Sequence, residues 1–171
     1  EQGDKVLFID KHAAHERMNF DRMKAEGYDP MSQTLLAPAV CRLSPEEHAA
    51  LTARLPLLEE FGFAAEDFGG GSLIVRRAPF DVDPGDIEAT ITEIARKLLS
   101  TGSADPTAAR DELLHTMACK AAIKGGWRSS PQELERVARA VMSGQVRYCP
   151  HGRPVAIELT RGQLEKQFRR A

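Results

Sequence analysis

Apolar and polar positions along this chain switch between a short and a helical period, and the switches mark its elements. Lys5 to Ile9 is a brief apolar run that stops at Asp10. That pattern predicts a strand running into a helix, with the Asp10 carboxylate accepting from the first free amides. Behind it His12, Glu16, Phe20 and Met23 recur along one side of a helix that ends at Gly27. Thr34 to Val40 is predicted to be extended, with Pro38 placing it at an edge or bend. Ser44-Pro45-Glu46-Glu47 and Ser130-Pro131-Gln132-Glu133 each offer a capping Ser, a Pro at the first helical position and a Glu at the third. Leu51, Leu55 and Leu58 follow the first at helical spacing, with Pro56 expected to kink or shorten that helix. Leu134, Val137 and Val141 follow the second. Further helices are marked by Ile87, Ile91, Ile94 and Leu98 after Asp83-Pro84, and by Leu114, Met117, Ala118 and Ala121 before Gly125-Gly126. Phe61 to Phe63 and Leu73 to Arg76 form a hairpin candidate joined through Gly69-Gly70-Gly71. Val155 to Leu159 reads as a strand, and Thr160-Arg161-Gly162-Gln163 caps a short terminal helix.

The tally predicts an α+β fold without internal repeats. Residues 43–107 make a helix–hairpin–helix unit of their own, which predicts an inserted lobe. The flanks, 1–42 and 108–171, then form the main lobe. A length of 171 residues suits one domain carrying such an insertion. The hydrophobic share of 42% and charged share of 28% are those of a soluble protein that can bury a core. The longest apolar run, Val6 to Ile9, is far too short to span a bilayer, and no stretch has the order of a signal peptide. Residue 1 is Glu rather than Met, so a longer parent protein is expected. A net charge of -2 excludes a uniformly basic nucleic-acid coat but leaves room for a local patch, such as Lys166, Arg169 and Arg170. Three cysteines, an odd and sparse set, argue against a disulfide scaffold and for a reducing, cytoplasmic setting.

In that setting a Cys is buried, catalytic or a metal ligand, and three segments bear on the choice. His12 and Glu16 are one helical turn apart and share a side, with Asp10 just ahead of them. Cys149-Pro150-His151-Gly152-Arg153-Pro154 puts a thiolate and an imidazole on a loop braced by two prolines, which lowers the entropy lost on binding. Cys119 lies on an amphipathic helix. Taken singly, each has a plain structural reading: a capped helix with a solvated His and Glu, a proline-braced turn, and a small buried hydrophobe. Taken together, two Cys, two His, one Glu and one Asp supply enough ligands for two neighbouring Zn²⁺ or Mn²⁺ ions, with a shared thiolate as the expected bridge. Cys41 has no ligand at suitable spacing and reads as structural, while His48 and His115 read as solvated helix-face residues. Gly69-Gly70-Gly71 lacks the Gly-Lys-Ser/Thr ending of a phosphate loop, and no Gly-x-Ser-x-Gly elbow is present. Tyr148 and Trp127 are too isolated for a base-stacking platform.

Four elements resemble those of the MutL family of mismatch-repair proteins, in family order across nearly the whole chain. Asp10-Lys11-His12-Ala13-Ala14-His15-Glu16, with Asp21 five residues on, is similar to its Asp-Gln-His-Ala-x-x-Glu-x-x-x-x-Glu endonuclease motif. Ala118-Cys119-Lys120 resembles its Ala-Cys-Arg element, Cys149 to Pro154 matches its Cys-Pro-His-Gly-Arg-Pro element, and Glu165 to Arg170 is similar to its closing Phe-x-Arg segment. Lys11, Asp21 and Lys120 depart from the family residues without removing an implied ligand.

The resemblance implies a two-lobed fold, a dimerisation lobe with an inserted external regulatory lobe. It implies His12, Glu16, Cys119, Cys149 and His151 as metal ligands with Asp10 as the essential carboxylate, so that Asp10, His12 and Glu16 form the catalytic element. Zn²⁺ is the implied structural or regulatory ion and Mn²⁺ or Mg²⁺ the catalytic one. ATP enters only through an N-terminal domain that this chain lacks. Gln33-Thr34-Leu35-Leu36-Ala37-Pro38 fits the family's sliding-clamp motif through Gln33, Leu36 and Pro38. The implied activity is metal-assisted nicking of one strand of duplex DNA, with Arg153, Arg169 and Arg170 on the phosphate backbone. The implied partners are a second copy, duplex DNA, the sliding clamp and, through the full-length protein, the mismatch-recognition protein MutS. The rivals are a non-catalytic dimerisation scaffold with structural zinc and a metallohydrolase of another substrate class.

Overall fold

The computed structural model describes residues 5–100, 105–125 and 129–168, and its elements begin where the capping residues predict. Strand β1 (Lys5–Ile9) runs into helix α1 (Lys11–Glu26), whose N-cap Asp10 accepts from the amide of Ala13. Gly27, at φ 84°, closes the helix in a conformation that a side chain would strain. Ser44 caps α2 (Pro45–Thr52) in a capping box with Glu47, and the helix then breaks and restarts as α3 (Leu55–Glu60) with Pro56 in its first turn. Ser130 caps α6 (Pro131–Met142), and Thr160 with Gln163 caps α7 (Arg161–Gln167). Helices α4 (Ile87–Ser100) and α5 (Pro106–Gly125) fill the middle of the chain. No helix among the described residues is long and apolar enough to cross a membrane.

The strands form two sheets. In one, β1 pairs antiparallel with β5 (Ala156–Thr160). In the other the order is β2 (Ser32–Arg42), β4 (Ser72–Pro79), β3 (Ala64–Gly69), all antiparallel. Pro38 falls where the β2 register shifts between Thr34 and Ala39, on an edge strand, as a residue without an amide proton requires. The hairpin differs from the predicted one: its first strand is Ala64–Gly69, and Phe61 to Phe63 form the turn ahead of it. There the Phe61 amide donates back to the carbonyls of Leu57 and Leu58, and Gly62 reverses the chain at φ 84°. Both phenylalanines are fully buried, so their apolar character reflects core anchoring from a turn rather than a strand face.

Two cores result. The larger joins Phe61, Phe63, Leu73 and Val75 to Ile87, Ile91 and Ile94 of α4, to Leu113 and Met117 of α5, and to Phe20 and Met23 of α1. Cys41 is fully buried in it, and burial pushes its thiol up to about 11. The smaller joins Ala13 and Ala14 of α1 to Val137 and Ala140 of α6, and to Val146, Cys149 and Val155. Helix α1 therefore lies between the cores, bound to α5 by Asn19 on the Ala118 carbonyl at 3.5 Å and by a Lys24–Asp111 ion pair at 2.6 Å. Strand β2 precedes residue 43 yet belongs to the sheet of residues 64–79, so that sheet straddles the predicted lobe boundary.

Candidate metal centre

Three segments distant in sequence converge at the N-terminal half of α1. Asp10 Oδ1 accepts from the Ala13 amide at 3.0 Å, and the Asp10 amide donates to the Val155 carbonyl at 2.8 Å, tying the helix start to the strand after the Cys149 loop. One turn in, His12 Nε2 lies 3.5 Å from Glu16 Oε1. Of the three helix residues between them, Ala13 and Ala14 are small and buried and pack in the smaller core with Cys149 and Val155.

The loop itself is tightly turned. Cys149 donates its amide to the Arg153 carbonyl at 2.8 Å, the Gly152 amide donates to the Cys149 carbonyl at 2.9 Å, and Gly152 sits at φ 79°. The Arg153 amide donates to the Cys149 sulfur at 3.4 Å. His151 Nδ1 then reaches to 3.8 Å from Glu16 Oε2. Cys119 arrives from α5, which packs along α1.

The donor atoms of His12, Glu16 and Cys119 all lie within 4.8 Å of one another, and so do those of Glu16, Cys149 and His151. Glu16 belongs to both groups. Neither thiol belongs to both groups among the described residues; the shared residue is Glu16, which meets Cys119 and lies 3.8 Å from His151. Its side chain is only 10% exposed, and among the described residues its partners are two imidazoles and a thiol. A carboxylate so buried needs a compensating cation. The Cys119 thiol is pushed up to about 12, first by burial, then by its hydrogen bond to the Glu16 carboxylate and the negative charges of Glu16 and Glu93, against the opposing Lys120. Imidazole, thiol and carboxylate are the donor types of zinc sites, so the residues fit a divalent ion.

The other expected residues fall as follows. Asp10 is exposed, caps α1 and belongs to neither donor group among the described residues. Asp21 is half-buried, belongs to neither donor group among the described residues and pairs with Arg17 Nε at 2.8 Å, and Lys120 lies 3.6 Å from Glu93. Arg153 is exposed beside the Cys149 loop. Arg169, Arg170 and Trp127 lie outside the described residues. Gln33 donates to the Val82 carbonyl at 3.3 Å, Leu36 is 108% exposed, and Pro38 is exposed on the same irregular stretch of β2.

Two histidines are not solvated as expected. His48 meets Asp67 at 3.0 Å with its side chain 19% exposed. His115 packs edge-on against Phe20, ring centroids 4.2 Å apart, and faces His151 at 6.0 Å. Burial holds its pKa below the usual histidine value. Its position one turn before Cys119 obeys the same spacing that joins His12 to Glu16, and that was the available signal.

Fold and cluster together define a mixed α/β domain with a carboxylate-bridged Cys/His donor set between two helices and a loop. The family described as the MutL C terminal dimerisation domain matches residues 1–129, and the chain belongs to that family. The chain is 40% identical over 179 residues to the DNA mismatch repair protein MutL of Anaeromyxobacter dehalogenans, covering 98% of this chain and 28% of that protein. It is 37% identical over 177 residues to the MutL of Acidiphilium cryptum, covering 100% and 30% respectively. The MutL of Caldanaerobacter subterraneus subsp. tengcongensis is 32% identical over 171 residues, with 99% of this chain and 29% of that protein covered. The chain thus spans less than a third of the length of these relatives.

Proposed function

We propose that this chain is the dimerising, metal-dependent DNA-nicking part of a cytoplasmic mismatch-repair protein. The observation that carries the reading is Glu16: one buried carboxylate shared by two Cys/His donor groups. In this reading His12, Glu16, Cys119, Cys149 and His151 hold divalent ions, zinc in the structural or regulatory role and Mn²⁺ or Mg²⁺ in the catalytic one. Such ions lower the pKa of bound water and offset charge developing on a phosphodiester. Asp10, at the mouth of α1 two residues before His12, orients water or helps hold the more labile ion. Arg153, beside the loop, and Arg169 and Arg170 contact the DNA backbone without reading its sequence. Mismatch specificity and ATP dependence come from the rest of the parent protein and from MutS.

The same reading gives β2 a partner. Gln33, Leu36 and Pro38 dock a sliding clamp, and a fully exposed Leu36 on an irregular edge strand supports this. Residues 1–42 and 108–171 act as the dimerisation lobe and 43–107 as the regulatory insertion. The homodimer forms through the β1–β5 sheet. Phe8 and Ile157 are direct cross-strand partners on its outer face, 48% and 59% exposed, while Ile9 and Ala156 on the inner face pack on the smaller core. A sheet of two strands is marginal by itself and gains from a covered outer face.

The scaffold reading, dimerisation with structural zinc only, is favoured by one observation: Asp10 stands outside both donor groups and is occupied as a cap. Nicking of supercoiled plasmid separates the two. The full-length parent with Mn²⁺ and sliding clamp is compared with its Asp10→Asn and Glu16→Gln variants. Asn caps as well as Asp, so the Asp10→Asn variant keeps its helix. Nicking by the parent and its loss in both variants is the expected result, whereas no nicking by the parent favours the scaffold.

A further inference from the structure

His151 is the most exposed donor of its group, its side chain 42% accessible on a loop between Pro150 and Gly152. An exposed imidazole samples several rotamers, and every metal-binding event must select one of them. Its contact with Glu16, at 3.8 Å, is too long to fix the ring by hydrogen bonding. Its second neighbour is the ring of His115, centroids 6.0 Å apart and planes inclined by 66°, an edge-to-face arrangement. His115 is itself anchored, meeting Phe20 at 4.2 Å with planes at 76°, and Phe20 belongs to the larger core.

We propose that His115 is a positioning residue whose ring, seated on Phe20, holds the His151 imidazole in the orientation that meets Glu16 and a bound divalent ion. The proposal rests on the metal-binding reading of the cluster. A row of three rings, Phe20, His115 and His151, runs from the core to the loop. Phe20 is one turn beyond Glu16 on α1, and His115 is one turn before Cys119 on α5. The helix pair that presents two of the donors therefore also presents the surface that orients a third. His115 is in neither donor group among the described residues, so its action passes through His151. Orientation of a ligand by its outer neighbours is a general requirement of tight metal sites.

The test is zinc affinity of the full chain, measured by competition with a chromophoric chelator, with the visible spectrum of the Co²⁺-loaded chain as a second readout. His115→Phe keeps an aromatic edge and removes the ring nitrogens. His115→Leu fills the space without an aromatic edge, and His115→Ala empties it. The expected result is zinc binding within about twofold of wild type for His115→Phe, and about three- to tenfold weaker binding for His115→Leu and His115→Ala. The Co²⁺ spectrum should shift in the latter two only. Leu98→Ala, a core change outside the ring row, should lower the melting temperature without moving zinc affinity. Unchanged affinity in His115→Leu overturns the proposal, and so does an equal loss in His115→Phe, which would place the effect on a ring nitrogen. A wild-type chain that binds neither zinc nor Co²⁺ overturns the metal reading itself, an outcome recognised without any variant.

Discussion

A thiol that stays protonated far above neutral pH cannot bind zinc until it gives up its proton. Cys119 is in that position, since burial and the Glu16 carboxylate together push it up to about 12 in the metal-free chain. A divalent ion between the same residues reverses the balance, because it favours the thiolate and offsets the carboxylate. Zinc binding should therefore release a proton, and affinity should rise with pH across the neutral range, about tenfold per unit for each proton displaced. Titration calorimetry in buffers of different ionisation heat measures this, and Cys119→Ser should show a shallower slope. Two other histidines, one buried and one half-buried, act on stability instead. Desolvation lowers the pKa of His15 and His115 below the ordinary 6.5, against the opposing charges of Glu133 and Glu112. The unfolded chain then takes up protons first as the pH falls. Stability is full above that ordinary value and is lost below it, as the pH drops toward the depressed folded-state values. The melting temperature of the zinc-free chain should decline over that range, and less so in His115→Phe.

Among the elements, the two sheets face different fates. The β2–β4–β3 sheet has one side on the larger core, with Leu73 and Val75 fully buried. The β1–β5 ribbon offers its outer face, with the Phe8–Ile157 pair at its centre, to whatever covers it. Placing a carboxylate there should leave the monomer folded, since neither side chain is buried in it, and should abolish dimerisation by desolvating a charge at the interface. Sedimentation velocity of Ile157→Asp is the check, with far-ultraviolet circular dichroism unchanged; a dimer that persists would remove this ribbon from the interface. Legibility at this scale followed the range of the forces involved. Helix starts at Ser44, Ser130 and Thr160 are legible in the sequence because a cap and its amides lie within one turn. The first hairpin strand is not legible there, because Phe61 and Phe63 serve a core assembled from distant helices, and local apolar character does not distinguish a buried turn from a strand.

For the whole molecule, the larger core runs from residues 51–98 into α1 and α5. Leu113 and Met117, both fully buried on α5, bind residues 61–98 to the helix pair that carries Glu16 and Cys119. Leu113→Ala should thus cost about 2–5 kcal/mol in urea unfolding. The loss should appear as one cooperative transition, because residues 51–98 and α1 share that core. Two separated transitions would mean that residues 43–107 fold independently of the flanks.

The residues able to bind a metal, the capped helix that carries two of them and the braced loop that carries two more were all determined by the sequence, since each depends on neighbours within a few positions. Only the tertiary structure decided that Glu16, rather than a thiolate, is common to both donor groups, that Asp10 caps α1 outside them, and that His115 stacks between Phe20 and His151. The physical reason is that spacing fixes which side chains share a helix face, whereas the packing of α5 and the Cys149 loop on α1 fixes which faces meet.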